Sequence, residues 1–248
     1  MELNRKLFDC VAKSAATVHV TQVCIGLGFT AVTTSGGGIG IAATGVALSG
    51  RNSGNFDLKD FEDRPAADLL PAILSSAPME RTMAMALINA LNQPAALNLP
   101  EDPGNTILFD HFGIFSGARV AMVGYFPPLV RFLESRQVPL SVVDDNRGIG
   151  DKKVFYRQLA GWADVLILTG TSIINNSVER ILSHAGPDLK TIIMGPSTPM
   201  LPGAFSHLPV HMLAGTAITD LPQTLKKVRH GGGAHSLKGI SRKVYQLI

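Results

Sequence analysis

Polar residues suited to ligand binding follow several apolar runs in the second half of the chain. Hydroxyl groups, side-chain amides and backbone N–H groups in such places can hold a carboxylate or a phosphate. If the runs are parallel strands, their carboxyl ends meet at one edge of a sheet and form a pocket there. We expect this pocket to use Tyr125, Phe126, Asp144, Thr169, Gly170, Thr171, Asn175, Pro196, Ser197 and Thr198.

Asp144 lies 20 residues after Gly124, the separation at which nucleotide-binding Rossmann domains place an acid on ribose hydroxyls. The segment after Gly124 nevertheless differs from the glycine-rich fingerprint, because Phe126 replaces a glycine and Pro127 and Pro128 lack amide hydrogens. This argues against NAD or FAD, and S-adenosylmethionine or another nucleoside remains an alternative. A turn capped by Asp144 or Asp145 is an equally good interpretation.

Two loops have structural alternatives of their own. Asn176 and Glu179 have the spacing of a capping box, so the hydroxyls from Thr169 onwards precede a helix that this pair caps. In the next loop, Pro196 and Pro199 stiffen a segment that offers the Ser197 and Thr198 hydroxyls. Both loops are expected to contact the ligand.

The second half has the pattern of a doubly wound sheet. Strand-like runs at 119–123, 140–143, 164–168, 191–194 and 210–213 alternate, in the earlier part, with helical patterns. Alternation of this kind predicts a Rossmann-like open parallel sheet, in the α/β class.

The first half predicts a smaller α+β domain. A helical stretch from Asn4 to Ala16 precedes three β-rich runs that end near Thr44, and two helices are expected between Pro65 and Asn92. The glycines at 36–38 lack a following Lys-Ser/Thr pair, so they indicate a hairpin turn rather than a phosphate loop. We place the domains at residues 1–112 and 113–248, because the pattern fades into prolines and glycines between 93 and 116.

Composition limits the function classes. Of 248 residues, 46% are hydrophobic and 17% charged, as in a compact globular protein. We expect a cytoplasmic protein without a membrane partner, because neither a membrane-spanning run nor a signal peptide is found. The net charge of +3 is concentrated after Asp220, but sparse aromatic residues and the lack of a motif argue against nucleic acid. Cys10 and Cys24 show no metal-ligand spacing, and Pro209 between His207 and His211 disfavours a shared metal there.

Three motifs in order resemble one known family. The segments GYFPPLV, DVLILTGTSIINNSVERIL and IIMGPSTPMLP, supported by the hairpin around Gly38 and Gly40 and by MERTMAMALINAL, resemble the heavy-metal-chelation proteins. The resemblance covers nearly the whole chain. It implies an enolase-N-terminal-like domain followed by a Rossmann-like domain, with a pocket between them and a role in handling metals or metal chelates.

Carried onto this sequence, the resemblance implies that the first domain contributes Glu80 and Asn89 to the pocket, opposite Tyr125, Thr169, Thr171, Asn175 and Ser197. Glu80 is then the candidate acid or base and Asn89 orients the ligand, although an acid in a first helical turn also simply favours the helix dipole. A directly bound metal would need oxygen and imidazole donors, since thiolates are scarce.

Our leading hypothesis is an interdomain cleft for a small polar or anionic molecule, with a metal chelate as one form of it. An enzyme using S-adenosylmethionine or a nucleoside is the first alternative. A non-catalytic metal-trafficking protein or sensor is the second, and a homo-oligomer is a further expectation. No residue pattern identifies a reaction.

Overall fold

The computed structural model of the protein describes residues 1–44 and 59–248. Within these ranges the chain forms a three-stranded antiparallel sheet and a six-stranded sheet that is largely parallel. The predicted α/β class, with a smaller α+β part before a Rossmann-like sheet, is confirmed. No helix in the described ranges is both long enough and apolar enough to span a bilayer.

The smaller part begins with a helix and continues into a strand meander. Its elements are α1 (Glu2–Ala15), β1 (Val20–Ile25), β2 (Phe29–Thr34), β3 (Ile39–Ala43), α2 (Ala66–Leu69), a 3-10 segment (Leu70–Leu74) and α3 (Pro78–Ala96). The strand order β1-β2-β3 is antiparallel throughout, so the predicted hairpin is confirmed. Pro78 suits the first turn of α3, where an N–H would have no helical partner.

The glycines of the β2–β3 hairpin let a helix approach closely. A Cβ on Gly38 would lie 2.3 Å from the Ala90 carbonyl oxygen, and one on Gly40 would lie 2.2 Å from the Ala86 carbonyl oxygen. Only glycine permits this distance between strand and helix backbones. The hairpin therefore sets the position of α3.

The larger part alternates strands and helices as predicted and then adds an antiparallel strand. Its elements are α4 (Thr106–His111), β4 (Val120–Val123), α5 (Pro127–Ser135), β5 (Leu140–Val143), α6 (Lys152–Gly161), β6 (Val165–Thr169), α7 (Thr171–Ile174), α8 (Val178–Leu182), β7 (Lys190–Met194), β8 (Met212–Ile218), α9 (Leu221–Arg229) and β9 (Ser241–Leu247). The order is β5-β4-β6-β7-β8-β9, parallel except that β9 runs antiparallel to β8.

The two parts share hydrophobic core. One face of the large sheet packs against α1 and α3 of the smaller part as well as α6, α7 and α8, and Leu7, Leu87 and Leu168 belong to this cluster. The opposite face packs against α4 and α5. Helix α9 of the larger part packs on the small sheet through Leu225 and Val228, on the face opposite α3.

The strand order creates a crevice at one place on the large sheet. The chain leaves β4 for one neighbour, β5, and then crosses to the other neighbour, β6. The connecting helices α5 and α6 consequently lie on opposite faces. Loops that leave β4 and β6 diverge at such a switch point, and ligands of open α/β sheets bind there.

Candidate functional site

A cavity of about 500 Å³ lies at the carboxyl ends of β4, β5 and β6. Its walls come mostly from the loops after these strands and from α6 and α8, and α3 of the smaller part adds Pro78 and Arg81. The polar residues of the lining are Arg81, Tyr125, Asp144, Asp145, Asn146, Lys152, Tyr156, Thr169, Thr171, Ser172, Asn175, Ser177 and Arg180.

The structure brings six of the predicted site residues together in this cavity. They are Tyr125, Phe126, Asp144, Thr169, Thr171 and Asn175. The other six lie outside its lining: Glu80, Asn89, Gly170, Pro196, Ser197 and Thr198. The residues after β7 therefore do not line this cavity, although they leave the same sheet.

The loop after β4 places side chains rather than amides at the cavity. Gly124 has φ of 89°, and a Cβ there would lie 3.0 Å from the Thr169 Cβ, so glycine is needed for the loops after β4 and β6 to meet. Pro127 and Pro128 fill the first two positions of α5 and offer no N–H. The Tyr125 and Phe126 side chains line the cavity beside them.

Asp144 caps the turn that follows β5. Its Oδ2 accepts a hydrogen bond of 2.8 Å from the Tyr125 N–H, and its Oδ1 accepts one of 3.1 Å from the Arg147 N–H. The Arg147 guanidinium lies 5.4 Å from the centre of the Tyr125 ring. The neighbouring Asp145 forms an ion pair of 2.6 Å with Lys152. Both carboxylates on the cavity wall therefore already have partners within the protein.

The loop after β6 is short and held by its own side chains. The hydroxyls of Thr169 and Thr171 lie 3.1 Å apart, and Ser177 donates a hydrogen bond to the Asn175 side-chain oxygen. Helix α7 that follows has only four residues, Thr171–Ile174. A helix this short has little dipole, so ligand contacts here depend on the side chains.

The capping box predicted from Asn176 and Glu179 is wrong. Asn176 has φ of 58° and lies outside the helix, and the residue before α8 is Ser177, which makes no side-chain cap. Glu179 Oε1 instead accepts a 2.8 Å hydrogen bond from the Leu3 N–H, and Asn176 Oδ1 accepts one of 2.9 Å from Asn4 Nδ2. A tertiary contact with α1 has replaced the local one.

Asn89 and Ser197 lie at the junction between the two sheets. Asn89 Nδ2 donates a 2.9 Å hydrogen bond to the Ile41 carbonyl, and Ser197 Oγ accepts one of 2.9 Å from the Ala43 N–H. Asn89 and Thr198 also border a void of about 10 Å³. Glu80 is partly exposed in the first turn of α3.

Sequence reasoning missed the cations of the cavity, which are Arg81, Lys152 and Arg180. Arg81 is 4% exposed, and its Nε and Nη1 donate hydrogen bonds to the carbonyls of Ile174 and Ser75. Burial lowers the pKa of Arg81 below its ordinary value, but a guanidinium stays protonated at neutral pH.

The sequence does contain signals for these cations. Arg81 and Arg180 fall inside the motifs MERTMAMALINAL and DVLILTGTSIINNSVERIL, and Arg81 directly follows the chosen Glu80. Lys152 lies four residues before Tyr156 on α6, so both side chains are on one side of that helix.

The cavity donors do not suit a bare heavy-metal cation. In the described parts of the chain, no three His, Cys, Asp or Glu side chains are grouped closely enough to hold a metal ion. His211 Nδ1 already accepts a hydrogen bond from the Thr191 N–H, and burial lowers the pKa of His211. Soft metals prefer thiolate and imidazole ligands, and the described residues of the cavity wall supply neither.

The fold is similar to solved structures of proteins with unknown function. A DUF364 family protein from Pyrococcus horikoshii matches with a TM-score of 0.80 and 21% identity, over 100% of this chain and 98% of that one. A DUF364 family protein from Desulfitobacterium hafniense matches with a TM-score of 0.76 and 16% identity, over 97% of each chain.

A curated relative and two family models also match. An uncharacterized protein of Methanocaldococcus jannaschii is 25% identical over an alignment of 173 residues, and the match covers 66% of this chain and 65% of that protein. The chain thus spans just under two thirds of the length of this relative. The DUF4213 model matches residues 8–92 and the DUF364 model residues 107–247, and both are described as "Putative heavy-metal chelation". The chain belongs to the DUF364 family, the one that its three C-terminal motifs indicated.

Proposed function

We propose that the protein binds a small polyanionic molecule in the cavity at the carboxyl ends of β4, β5 and β6. The observation that supports this most is the charge of the wall. Arg81 is buried there, and none of the described carboxylates forms an ion pair with it. A buried cation without an anion is costly, and an anionic ligand would offset that cost.

The remaining charges of the wall support the same ligand class. Arg180 is exposed and forms no ion pair with a described residue, whereas Lys152 is paired with Asp145. Three cations thus face two carboxylates that protein groups already engage. A cavity of about 500 Å³ is large enough for a small-molecule ligand.

A metal would enter this site inside an anionic chelate. The donors of the wall suit the carboxylate oxygens of a chelator better than a free cation, because guanidinium groups pair with carboxylates and repel positive charge. This is consistent with the family description without a direct protein–metal bond. It also covers a non-catalytic carrier or sensor of metal chelates, and we propose no reaction.

A nucleoside ligand, such as S-adenosylmethionine, is the second candidate. Asp144 lies on the cavity wall at the end of β5, next to the switch point of the sheet. Its carboxylate accepts two backbone hydrogen bonds, which leaves fewer lone pairs for ribose hydroxyls. The polyanion is therefore our first choice.

Isothermal titration calorimetry tests the proposal. The probes are citrate, nickel citrate, inorganic phosphate, nickel ion alone, adenosine and S-adenosylmethionine. We expect citrate or its nickel complex to bind at one site per chain and nickel ion alone to show no stoichiometric binding. Affinity should fall as salt is raised, because the exposed cations are screened. Binding of adenosine or S-adenosylmethionine without any anion binding would contradict the first choice.

Two matched pairs of variants locate the site. Lys152 and Lys153 are adjacent, exposed residues of α6, and Lys152 alone of the two lines the cavity. Lys152→Gln should weaken citrate binding about 2- to 5-fold, since an exposed charge contributes up to about 1 kcal/mol. Lys153→Gln should leave binding unchanged. Arg180→Gln and Arg157→Gln form the second pair, because Arg157 is exposed on α6 outside the lining.

A further inference from the structure

One wall of the cavity has a guanidinium with unused hydrogen-bonding capacity. Two nitrogens of Arg81 donate to carbonyl oxygens, Nε to Ile174 and Nη1 to Ser75 at 2.6 Å. The third nitrogen, Nη2, has no hydrogen bond to any residue that the structure describes. The two carbonyls hold the guanidinium in place but do not neutralise its charge. The group is therefore fixed in position and still able to bind an anion.

A buried hydroxyl also belongs to the lining of this cavity. Ser172 lines the cavity and is 1% exposed, yet its Oγ has no hydrogen-bond partner among residues 1–44 and 59–248. It is in α7, two residues before Ile174, whose carbonyl accepts from Arg81. Leaving a buried hydroxyl without a partner is unfavourable, and Ser172 differs from other such hydroxyls, for example that of Thr191, in that it lines the cavity, where a ligand could supply the partner. A serine hydroxyl can meet a new partner by rotation about one bond.

From these two groups we infer that the Arg81 end of the cavity is a subsite for a single oxyanion group, a carboxylate or a phosphate. Arg81 Nη2 and the Ser172 hydroxyl would each donate a hydrogen bond to it. The inference rests on the proposed function and assigns it one direct anchoring point.

The chemistry of the subsite favours an oxyanion over other ligand groups. Both Arg81 Nη2 and the Ser172 O–H are donors here, and a guanidinium has no acceptor at all. A group with several lone pairs and a negative charge satisfies both donors at once, through charge-assisted hydrogen bonds. A neutral hydroxyl or amide oxygen could also accept both hydrogen bonds, but it would leave the buried charge without an anion. The subsite thus selects for charge on the ligand.

Ser172→Ala is the decisive variant. It removes only the hydroxyl that lacks a partner, so we expect the unfolding temperature to stay the same or rise. Affinity for the anion should fall at least about tenfold, the typical effect of losing a hydrogen bond to a charged group. Thr191→Val is the matched control, since Thr191 is 0% exposed, its Oγ1 also lacks a described partner, and it lies on β7 outside the cavity lining.

Calorimetry with citrate and with inorganic phosphate separates the outcomes. Loss of affinity for citrate alone identifies a carboxylate subsite, and loss for phosphate alone identifies a phosphate subsite. If wild type binds the probes and Ser172→Ala binds both of them equally well, the inference is overturned but the proposed function is not. Equal losses in Ser172→Ala and Thr191→Val also overturn it. Absence of wild-type binding to any anion overturns the proposed function itself.

Arg81→Lys adds an independent test, provided that the variant is shown to be folded. Lysine keeps the charge but cannot bond both carbonyls and the ligand in the planar geometry of a guanidinium. We expect a loss of affinity at least as large as in Ser172→Ala, with the two losses less than additive in the double variant because both groups contact one oxyanion. Strict additivity would show that they act at separate places and would contradict a shared subsite.

Discussion

Replacing Gly40 with alanine should destabilise the protein and disturb the site, because Gly40 sets how closely α3 packs on β3. A Cβ on Gly40 would lie 2.2 Å from the Ala86 carbonyl oxygen and 2.2 Å from the Ala90 nitrogen. Atoms of this kind are normally more than 3 Å apart, so strand and helix must separate by about 1 Å. Helix α3 holds Arg81 at the cavity, and a shift of the helix moves that guanidinium.

The expected cost follows from the type of atoms that clash. Overpacking a core costs about 1–3 kcal/mol, and the upper end applies here because backbone atoms cannot rotate away. The loss of chain entropy in the unfolded state offsets about 0.4–1 kcal/mol of this cost. A net loss of about 2–2.6 kcal/mol corresponds to a fall in unfolding temperature of about 4–10 °C for a chain of this size.

Differential scanning calorimetry measures this fall, with Gly161→Ala as the control. Gly161 ends α6, and an added Cβ there would have nothing within 4 Å. That variant should unfold at the wild-type temperature or slightly above it. If Gly40→Ala unfolds within about 1 °C of wild type, or if both alanine variants lose the same stability, then Gly40 does not set the distance between α3 and β3.

Two further predictions concern stability. Asp102 is 8% exposed and accepts hydrogen bonds from the N–H groups of Thr106, Ile107 and Leu108 at the start of α4. In urea denaturation, Asp102→Ala should therefore lower the free energy of unfolding by about 1–2 kcal/mol, more than Asp151→Ala, which removes the exposed cap of α6. Equal losses in the two variants would contradict this. Hydrogen bonds from Arg119 lower the pKa of Asp164 from 3.8 to about 2. Wild type should therefore be more stable than Asp164→Asn above about pH 4, and the difference in unfolding free energy should disappear as the pH falls through 2. A difference that does not change with pH would contradict this prediction.

Most of the fold could be predicted because its strands have strong local patterns. The runs that became β4, β6 and β7 are continuous and apolar, as expected of strands covered on both faces. Strand β9 was missed, because Ser241–Leu247 begins with three polar residues, including Arg242 and Lys243, and lies at the edge of the sheet, so it lacks the continuous apolar run of the other strands. The sharing of core between the two parts depends on long-range contacts, which periodicity does not report.

Six of the twelve predicted site residues line the cavity, because the strand-end loops that carry them follow a general rule whereas helix α3 does not. Strand-end positions such as Asp144 and Thr169 follow from the rule that ligands bind at the carboxyl ends of parallel strands. Arg81 does not follow from it, because α3 is buried from Arg81 to Ile88 on all sides. A helix without a polar face gives no periodic signal of which residue points at the cavity. Glu80 and Asn89 as an acid or base and a ligand-orienting group stay predictions.

A crystal structure of the protein grown with nickel citrate would show directly whether the cavity holds an anion. We expect density for the anion between the loops after β4 and β6, with one of its oxygens within hydrogen-bond distance of Arg81 Nη2 and the Ser172 hydroxyl. Density for nickel bound directly by protein side chains would contradict this expectation. An anion bound outside this cavity would also contradict it, provided that calorimetry shows the single site to be saturated at the concentration used.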